Sequence, residues 1–305
     1  MLDSDATPEG TTKPRLSRRL VWRVEYVALR GCEAFVGRVP RAAALLLGRA
    51  VGWLALKLGV RRAVVVANLR FVGMGSDAEI AHILPKLYAN MGMYIMDLLR
   101  ARRQEPPYRI HGGELLAQRE QRGVIAILAH FGNFELLATA FGTVFSDVHV
   151  IVKPMHNPYV ENWLDERRLA TGVQIIGHKN AARPAFTTLK QNGVLAALID
   201  QDPGAEGTTV PFLGKPASTV RAIAALQEHV DPQVVSAYAR LGDDDVYDVV
   251  LVLERFDLDG LEKDARVTRI QERHNEIVGA WVRADPEYWF GWFHRRFRPF
   301  LEYPK

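Results

Sequence analysis

Short apolar runs alternate with stretches of helical spacing beyond Gly113, and this alternation constrains the fold more than any other feature of the chain. Strands that alternate with helices are typical of an α/β sheet with helices on both faces. The candidates are the strand runs GVIAILA (Gly123–Ala129), VHVIVK (Val148–Lys153) and GVLAALID (Gly193–Asp200), and the helical stretches Glu135–Val144, Val160–Thr171 and Ala182–Gln191.

Helical and paired-strand patterns flank this region on both sides. Upstream, Ser76 and Glu79 have the spacing of a capping box, which predicts the start of a helix. Downstream, the patterns predict two strands paired across an acidic turn and then a last helix: Val234–Leu241, Tyr247–Phe256 and Val267–Arg283. We therefore predict one α/β domain over residues 63–305, built on a single central mixed sheet covered by helices.

The first 62 residues differ from the rest in charge. They carry 12 Lys+Arg and 5 Asp+Glu, a net charge of +7, whereas the remainder carries 27 and 30, a net charge of −3. Residues 1–19 begin with an acidic, polar stretch that does not have the order of a secretory signal, and we predict a short disordered tail there. The single cysteine, Cys32, rules out an internal disulfide and a Cys-rich zinc site and fits a reducing compartment.

Residues 20–62 are apolar but regularly interrupted by basic residues. Arg41, Arg49 and Lys57 recur every eight positions and leave uncharged runs of seven, whereas a membrane-spanning helix needs about 20 predominantly apolar residues. We predict basic amphipathic helices in a membrane interface, with cations toward anionic headgroups and with Trp22, Trp53 and the leucines in the acyl boundary. The alternatives are a helix packed on its own domain and a tilted span. Nucleic acid is not expected as a partner, because aliphatic residues separate the cations.

The stretch ILAHFGNFEL places a histidine directly after the first strand candidate. In open α/β sheets, ligands bind beyond the carboxyl ends of the strands, which is where His130 falls. Gly132 and Asn133 supply a turn, and Asn133 is a candidate cap for the next helix. This turn is expected to fold Glu135 back toward the imidazole, where a carboxylate on one ring nitrogen raises the basicity of the other. His130 and Glu135 are thus the predicted general base and its orienting carboxylate.

The spacing of this pair alone carries little information. With 9 His and 35 Asp+Glu in 305 residues, about one such pair is expected by chance, and a second pair, His156/Glu161, is present. Two prolines bracket His156 and no buried strand leads directly into it, so we interpret the second pair as part of a structural loop. A capping or structural role is the alternative for His130.

A second polar cluster, Asp200, Gln201 and Asp202, follows the third strand candidate. Carboxylates at a strand end are able to bind a metal ion, but neither a His nor a Gly-rich phosphate loop accompanies them, and we predict no metal and no cofactor. Asp200 is expected to hold the site together or to pair with a cation such as Lys153. VPFLGKPAST (Val210–Thr219) is expected to be a loop ahead of a helix.

Taken together, these motifs resemble the lipid A biosynthesis (late) acyltransferases. These belong to the glycerolipid and lysophospholipid acyltransferase superfamily, whose hallmark is a His, four residues, and then Asp or Glu. One such motif would be weak evidence, whereas five in the same order and spacing are strong. The matching stretches extend from about Arg15 to Pro299: VVVANLRFV, HGGELLAQREQRGVIAILAHFGNFELL, ALIDQDPG, VPFLGKPAST and PEYWFGWFHRRFRP.

The resemblance implies transfer of an acyl chain from a thioester of acyl carrier protein or coenzyme A to a hydroxyl of a membrane lipid, without an acyl-enzyme. His130 would take the hydroxyl proton and Glu135 would orient His130. Oxyanion donors would come from Asn133, from backbone amides after the strand, or from Lys153, where family members usually have Arg. The resemblance also implies a set of substrate contacts: Asn133, Lys153, Asp200, Gln201, Asp202, Arg295 and Arg296. The two arginines are candidates for phosphate binding.

Two departures from the family pattern, Lys153 and Gly279 in place of the usual Arg and Glu, leave the acceptor open. Lipid A or its precursor is the expected acceptor, and a lysophospholipid, a glycolipid or an amino-acid lipid would use the same chemistry. A lipid-binding protein on an inactive acyltransferase fold is the non-enzymatic alternative, against which the intact His130/Glu135 pair argues. The expected location is the cytoplasmic face of the bacterial inner membrane, peripheral or monotopic on its anionic surface.

Overall fold

The computed structural model describes residues 16–116 and 122–304. Its helices are α1 (Leu16–Val36), α2 (Arg41–Lys57), α3 (Arg62–Phe71), α4 (Asp77–Arg100), α5 (Leu136–Val144), α6 (Pro158–Ala170), α7 (Ala182–Lys190), α8 (Ala222–Val230) and α9 (Lys263–Ala284). Its strands are β1 (Tyr108–His111), β2 (Val124–Leu128), β3 (Val148–Val152), β4 (Gln174–Gly177), β5 (Val194–Leu198), β6 (Gly207–Phe212), β7 (Lys215–Val220), β8 (Gln233–Leu241) and β9 (Tyr247–Glu254). Residues 1–15 of the predicted tail lie outside the described residues, whereas residues 16–19 form the first turn of α1.

Seven strands form the central sheet, in the order β1-β9-β8-β2-β5-β3-β4. All neighbours are parallel except β8 and β9, which are antiparallel, so the predicted mixed sheet is confirmed and is mostly parallel. β2 lies between β5 and β8. Because these three strands are parallel, the segments that follow them leave the sheet at the same edge.

Both faces of the sheet are covered, as the sequence predicts. Ile125 and Ile127 of β2 belong to one hydrophobic core, and Val124, Ala126 and Leu128 belong to the other, since successive side chains of a strand point to opposite faces. All five residues are buried. Burial on both faces explains why this segment is a continuous apolar run and does not alternate with polar residues.

The segment VPFLGKPAST is a β-hairpin and not the expected loop. β6 and β7 pair antiparallel as a separate two-stranded sheet, joined by a two-residue turn. Leu213 and Gly214 in this turn both have positive φ, 53° and 79° respectively, as a type I′ turn requires. The hairpin packs on the core through Phe212 and Ala217.

The packing of the domain continues across the predicted boundary at residue 62. A Cβ atom at Gly52 would lie 2.1 Å from Tyr88 O, and one at Gly92 would lie 2.0 Å from Gly48 O, so α2 and α4 are in backbone contact. Leu45 of α2 is fully buried in the same core as β2. The helices of residues 20–62 are therefore folded onto the α/β domain.

Large apolar side chains of this segment are exposed all the same: Leu20, Val24, Val27 and Phe35 of α1, Leu46, Val51, Trp53 and Leu54 of α2, and Leu58 and Val60 after it. Arg41 was predicted to extend toward lipid headgroups. It is instead turned inward, where it binds Asp97. In the part of the chain that the structure describes, no single helix is long and apolar enough to cross a bilayer. α2 and α3 meet that criterion only together, as a pair bent by 82°.

Candidate active site

His130 and Asp200 come together because β2 and β5 are parallel neighbours. Each residue follows its strand by two positions, so both side chains lie at the same edge of the sheet. Asp200 Oδ1 bonds His130 Nδ1 at 2.8 Å, and Asp200 Oδ2 accepts from the His130 amide at 3.0 Å and from Trp289 Nε1 at 2.7 Å. Three donors thus satisfy a carboxylate that is only 2% exposed, and this arrangement fixes the orientation of the imidazole.

The protonation states follow from this geometry. Burial raises the pKa of Asp200, but the charge of His130 and the hydrogen bonds from His130 and Trp289 outweigh burial and lower that pKa to about 2. Burial lowers the pKa of His130, while the charge and hydrogen bond of Asp200 bring it above the ordinary value of 6.5. Asp200 is therefore a carboxylate at neutral pH, and the neutral imidazole keeps its proton on Nδ1 and a lone pair on Nε2.

A glutamine and a second histidine face this Nε2. Gln201 Nε2 lies 3.2 Å from His130 Nε2 and 3.4 Å from His294 Nε2. Because a neutral His130 with its proton on Nδ1 accepts at Nε2, the amide nitrogen of Gln201 is the donor. Burial and the charge of His130 lower the pKa of His294, which favours the neutral form of this second ring. The Phe134 ring packs against the His130 ring, with 4.9 Å between their centroids.

Glu135 does not make the hydrogen bond to His130 that the sequence predicts. Its two carboxylate oxygens are bound by Arg168 of α6, through Nε at 3.0 Å and through Nη2. A bidentate pair of this kind satisfies both oxygens, and it is largely buried, with exposed side-chain fractions of 17% for Arg168 and 11% for Glu135. Asp200 therefore takes the position on the imidazole that was predicted for Glu135. The charge of Glu135 still adds to the rise in the pKa of His130.

Asn133 ties the turn after His130 to the surrounding helices. Its Oδ1 accepts from the Leu136 amide at 3.1 Å, which confirms the predicted capping contact at the start of α5. Its side chain and that of Asp97 both lie beside the Tyr247 hydroxyl, whose pKa they shift in opposite directions. Arg41 at the start of α2 binds Asp97 through two N–H groups, at 3.0 and 2.8 Å. Asn133 thus holds the turn through its side-chain oxygen, and its predicted contact with substrate stays a prediction.

Lys153 and Asp202, two further predicted substrate contacts, lie at the margin of the site. Lys153 is exposed just after β3, which is two strands away from β2, so the two strand ends are roughly 10 Å apart. The expected pairing of Lys153 with Asp200 does not form. Asp202 accepts from the Gly204 amide at 2.8 Å and pairs with Arg298 at 3.3 Å, contacts that hold the turn after β5.

The two C-terminal arginines have different environments. Arg295 is exposed, and its guanidinium lies 6.0 Å from the centre of the Tyr303 ring. Arg296 is 1% exposed and donates to Ser218 O and, at 3.0 Å, to Thr219 Oγ1. Burial lowers the pKa of Arg296 to about 10. Arg296 thus anchors the β6–β7 hairpin, and its buried guanidinium argues against the predicted phosphate contact. A phosphate contact of Arg295 stays a prediction.

The second His–Glu pair makes structural contacts. The His156 ring packs on the Trp22 ring of α1, with 5.7 Å between centroids. Glu161 accepts from the Met155 amide at 3.0 Å. These contacts support the structural interpretation of His156 and Glu161.

Sequence reasoning missed two residues that hold the site, Trp289 and Arg168. Trp289 gives Asp200 its third hydrogen bond, and the next residue, Phe290, donates its amide to His130 O at 2.8 Å. Its signal was available, because the motif PEYWFGWFHRRFRP concentrates aromatic residues just before a histidine. Arg168 lies in the charged run DERR of α6, where nothing in the sequence distinguishes it from its neighbours.

Two comparisons with known proteins bear on this site. The profile of the bacterial lipid A biosynthesis acyltransferase family matches residues 16–299, nearly the whole chain. The search of curated proteins gave no match.

Proposed function

This chain belongs to the bacterial lipid A biosynthesis acyltransferase family, and from that premise we propose that it moves a fatty acyl chain from a thioester to a hydroxyl of lipid A or its precursor. The family implies an acyltransferase with an acyl donor and a lipid acceptor. One observation carries the finer proposal: His130 offers the lone pair of Nε2 at a strand end, while buried Asp200 holds its other nitrogen at 2.8 Å.

His130 is the general base in this proposal. Its Nε2 takes the proton of the acceptor hydroxyl while the hydroxyl oxygen attacks the thioester carbonyl carbon, which gives a tetrahedral oxyanion. The C–S bond then breaks, the new ester remains on the acceptor, and the thiolate leaves with the proton from His130. Asp200 stabilises the imidazolium between the two proton transfers. The acyl group passes directly from sulfur to oxygen, and no residue of the protein is acylated.

Glu135 has a supporting role in this mechanism. Its ion pair with Arg168 joins the start of α5 to α6, beside the turn that carries His130. The negative charge of Glu135 also favours the imidazolium form of His130. The His–Glu pair of the sequence motif is therefore proposed to act through position and charge.

Membrane attachment is the second part of the proposal. The exposed apolar side chains of α1 and α2 lie in a stretch of net charge +7, and this combination is typical of helices that bind an anionic lipid surface. Attachment at the cytoplasmic face of the inner membrane would give the site access to a lipid acceptor and to a soluble donor, acyl carrier protein or coenzyme A.

Substitution of His130 by Ala tests the chemistry. The purified protein is given acyl carrier protein or coenzyme A thioesters together with vesicles that contain lipid A precursor, lysophospholipid, glycolipid or amino-acid lipid, and new esters are identified by mass spectrometry. We expect His130→Ala to lower the rate about 10³-fold, within the usual contribution of a general base. His156→Ala is the matched control and should keep the wild-type rate. A wild-type rate in His130→Ala would refute the assignment of the base.

A further inference from the structure

The acceptor hydroxyl and Gln201 compete for the same position. A group that gives its proton to His130 must lie within about 3.2 Å of Nε2. Gln201 Nε2 occupies such a position, at 3.2 Å. When a hydroxyl binds there, one N–H of Gln201 loses its acceptor, whereas the other keeps His294 Nε2, 3.4 Å away.

The tetrahedral oxyanion needs N–H donors. At four successive positions that begin with His130, the backbone amide is already hydrogen-bonded. Each of these amides already donates to a protein acceptor: His130 to Asp200 Oδ2 at 3.0 Å, Phe131 to Ala129 O at 2.7 Å, Gly132 to Tyr288 O at 2.9 Å, and Asn133 to Ala239 O at 2.9 Å. The side-chain oxygen of Asn133 accepts from the Leu136 amide. The backbone oxyanion donors at these four positions are thus occupied.

We propose that Gln201 is a catalytic residue, whose side-chain N–H turns from His130 Nε2 to the thioester carbonyl oxygen when the acceptor hydroxyl arrives. This inference rests on the acyl transfer proposed above. The freed N–H lies beside the hydroxyl that attacks, and the carbonyl carbon is bonded to that oxygen in the intermediate. The carbonyl oxygen is therefore within reach of the Gln201 amide as its negative charge develops.

The step balances without any further reactant. The O–C bond to the acceptor forms, and the carbonyl π electrons move to oxygen, where Gln201 donates. They return as the C–S bond breaks, and the proton that His130 took from the hydroxyl goes to the leaving sulfur. The amide of Gln201 donates a hydrogen bond throughout and transfers no proton.

His294 is the positioning residue for Gln201 in this scheme. An amide nitrogen has two hydrogens, so it can remain bonded to His294 Nε2 while its other N–H changes partner. A neutral His294 is required, because a ring protonated at Nε2 has no lone pair to accept with. The lowered pKa of His294, which burial and the charge of His130 cause, meets that requirement.

The test uses Gln201→Ala and Gln201→Met in the full chain, with kcat and KM measured across pH on the best donor and acceptor. Loss of an oxyanion donor should lower kcat about 100-fold and leave KM within about threefold, since the hydrogen bond exists only in the transition state. Gln201→Met keeps the side-chain length and guards against a loss of folding that Gln201→Ala alone would not exclude. Gln191→Ala, at an exposed position after α7, is the matched control and should behave as wild type.

The pH profile separates this role from a merely structural one. If Gln201 only held the His130 ring, its loss would move the pH midpoint of kcat/KM and spare the plateau, whereas an oxyanion donor lowers the plateau. A plateau kcat within twofold of wild type in Gln201→Met would overturn the inference. If Gln201→Met keeps this plateau while His130→Ala is inactive in the same assay, only the role of Gln201 is refuted. If His130→Ala is fully active, the proposed function itself fails.

Discussion

Two carboxylates act on His130, Asp200 through a direct hydrogen bond and Glu135 through its charge at a longer distance. Asp200 binds the ring nitrogen directly and thereby sets both its tautomer and its charge. Glu135 is neutralised in part by Arg168 and reaches the ring only as a more distant charge. Their substitution should therefore have different consequences, although both residues belong to motifs of the family.

Asp200→Asn should reduce kcat by about three to four orders of magnitude, because an amide partner no longer enforces the tautomer with a free Nε2. It should also move the acid limb of the kcat/KM profile. His130 must be neutral to act, so activity rises with pH through the pKa of His130, which the native site holds above 6.5. Without Asp200 the lowering effect of burial dominates, and the midpoint should fall below 6.5, even though Glu135 still favours the charged ring. The neighbouring Arg168 opposes that charge in both proteins.

Glu135→Gln provides the contrast within the same prediction. It should leave the tautomer intact but leave Arg168 with Asp165, 3.2 Å away, as its remaining carboxylate partner, at a cost of about 1.5–3 kcal/mol in the free energy of unfolding for the lost charged hydrogen bonds. Asp147→Asn is the control, since Asp147 pairs with His149 at 2.9 Å on the opposite end of β3 and should affect neither property. Rates across pH and urea unfolding measure the two effects. An unchanged pH midpoint in Asp200→Asn would contradict the assignment.

At the scale of elements, the helix pair α2–α4 is held by glycines. The 2.0 Å between a Cβ atom built at Gly92 and the Gly48 carbonyl leaves no room for any side chain at position 92. Arg41 of α2 and Asp97 of α4 bond across the same pair, and Asp97 and Asn133 both lie beside the Tyr247 hydroxyl. The spacing of these helices therefore bears on the turn that carries His130.

Gly92→Ala should destabilise the protein by about 1–3 kcal/mol, because the added methyl group forces the two helices apart. Gly31→Ala in α1 is the matched control, since a Cβ atom there meets nothing within 4 Å. That substitution should stabilise the helix by about 0.5–1 kcal/mol, the usual gain for alanine over glycine inside a helix. Urea denaturation followed by circular dichroism compares the free energies of unfolding of the two variants. Equal changes in both would show that the close backbone contact at Gly92 does not exclude a side chain.

Elements with a local signal were predictable from the sequence, and those set by distant partners were not. The capping box of Ser76 and Glu79 forms as predicted, and β2, β3 and β5 lie within their predicted runs. The β6–β7 hairpin was missed because its turn places Leu213 where Asn or Asp is usual for a positive φ.

The site shows the same limit. His130 and Asp200 were both predicted at strand ends, but their contact depends on β2 and β5 being neighbours although β3 and β4 lie between them in sequence. Nearness in sequence suggested Glu135 as the partner of His130. Glu135 is instead bound through both of its oxygens by Arg168, which lies 33 positions away in the sequence.

At the scale of the whole molecule, the basic residues of positions 20–62 and the exposed apolar side chains lie in the same segment of the chain. Deleting these helices would not test membrane binding, because α2 shares a core with β2 and its loss would disrupt the domain. Substitutions on the exposed surface leave that core in place and are the better experiment.

The double variant Trp53→Glu, Leu54→Glu should sediment with anionic vesicles at least tenfold less than wild type, since two apolar side chains no longer enter the interface and two negative charges oppose it. These side chains are 58% and 51% exposed. Leu169→Glu on α6, where the side chain is 56% exposed, is the matched control and should bind vesicles as wild type does. Equal sedimentation of the double variant would remove α2 from the membrane-binding surface.

The position of β2 at the centre of the sheet has a consequence for biosynthesis. Its five residues are all buried, and its partner β8 begins at Gln233, 105 positions after Leu128. At the usual rate of about 5–20 residues per second, β2 waits roughly 5 to 20 s on the ribosome with one edge unpaired. An apolar strand with an open edge is a template for intermolecular pairing. The yield of soluble protein should therefore depend on how well chaperones shield this strand during translation, and strong overexpression should favour aggregates.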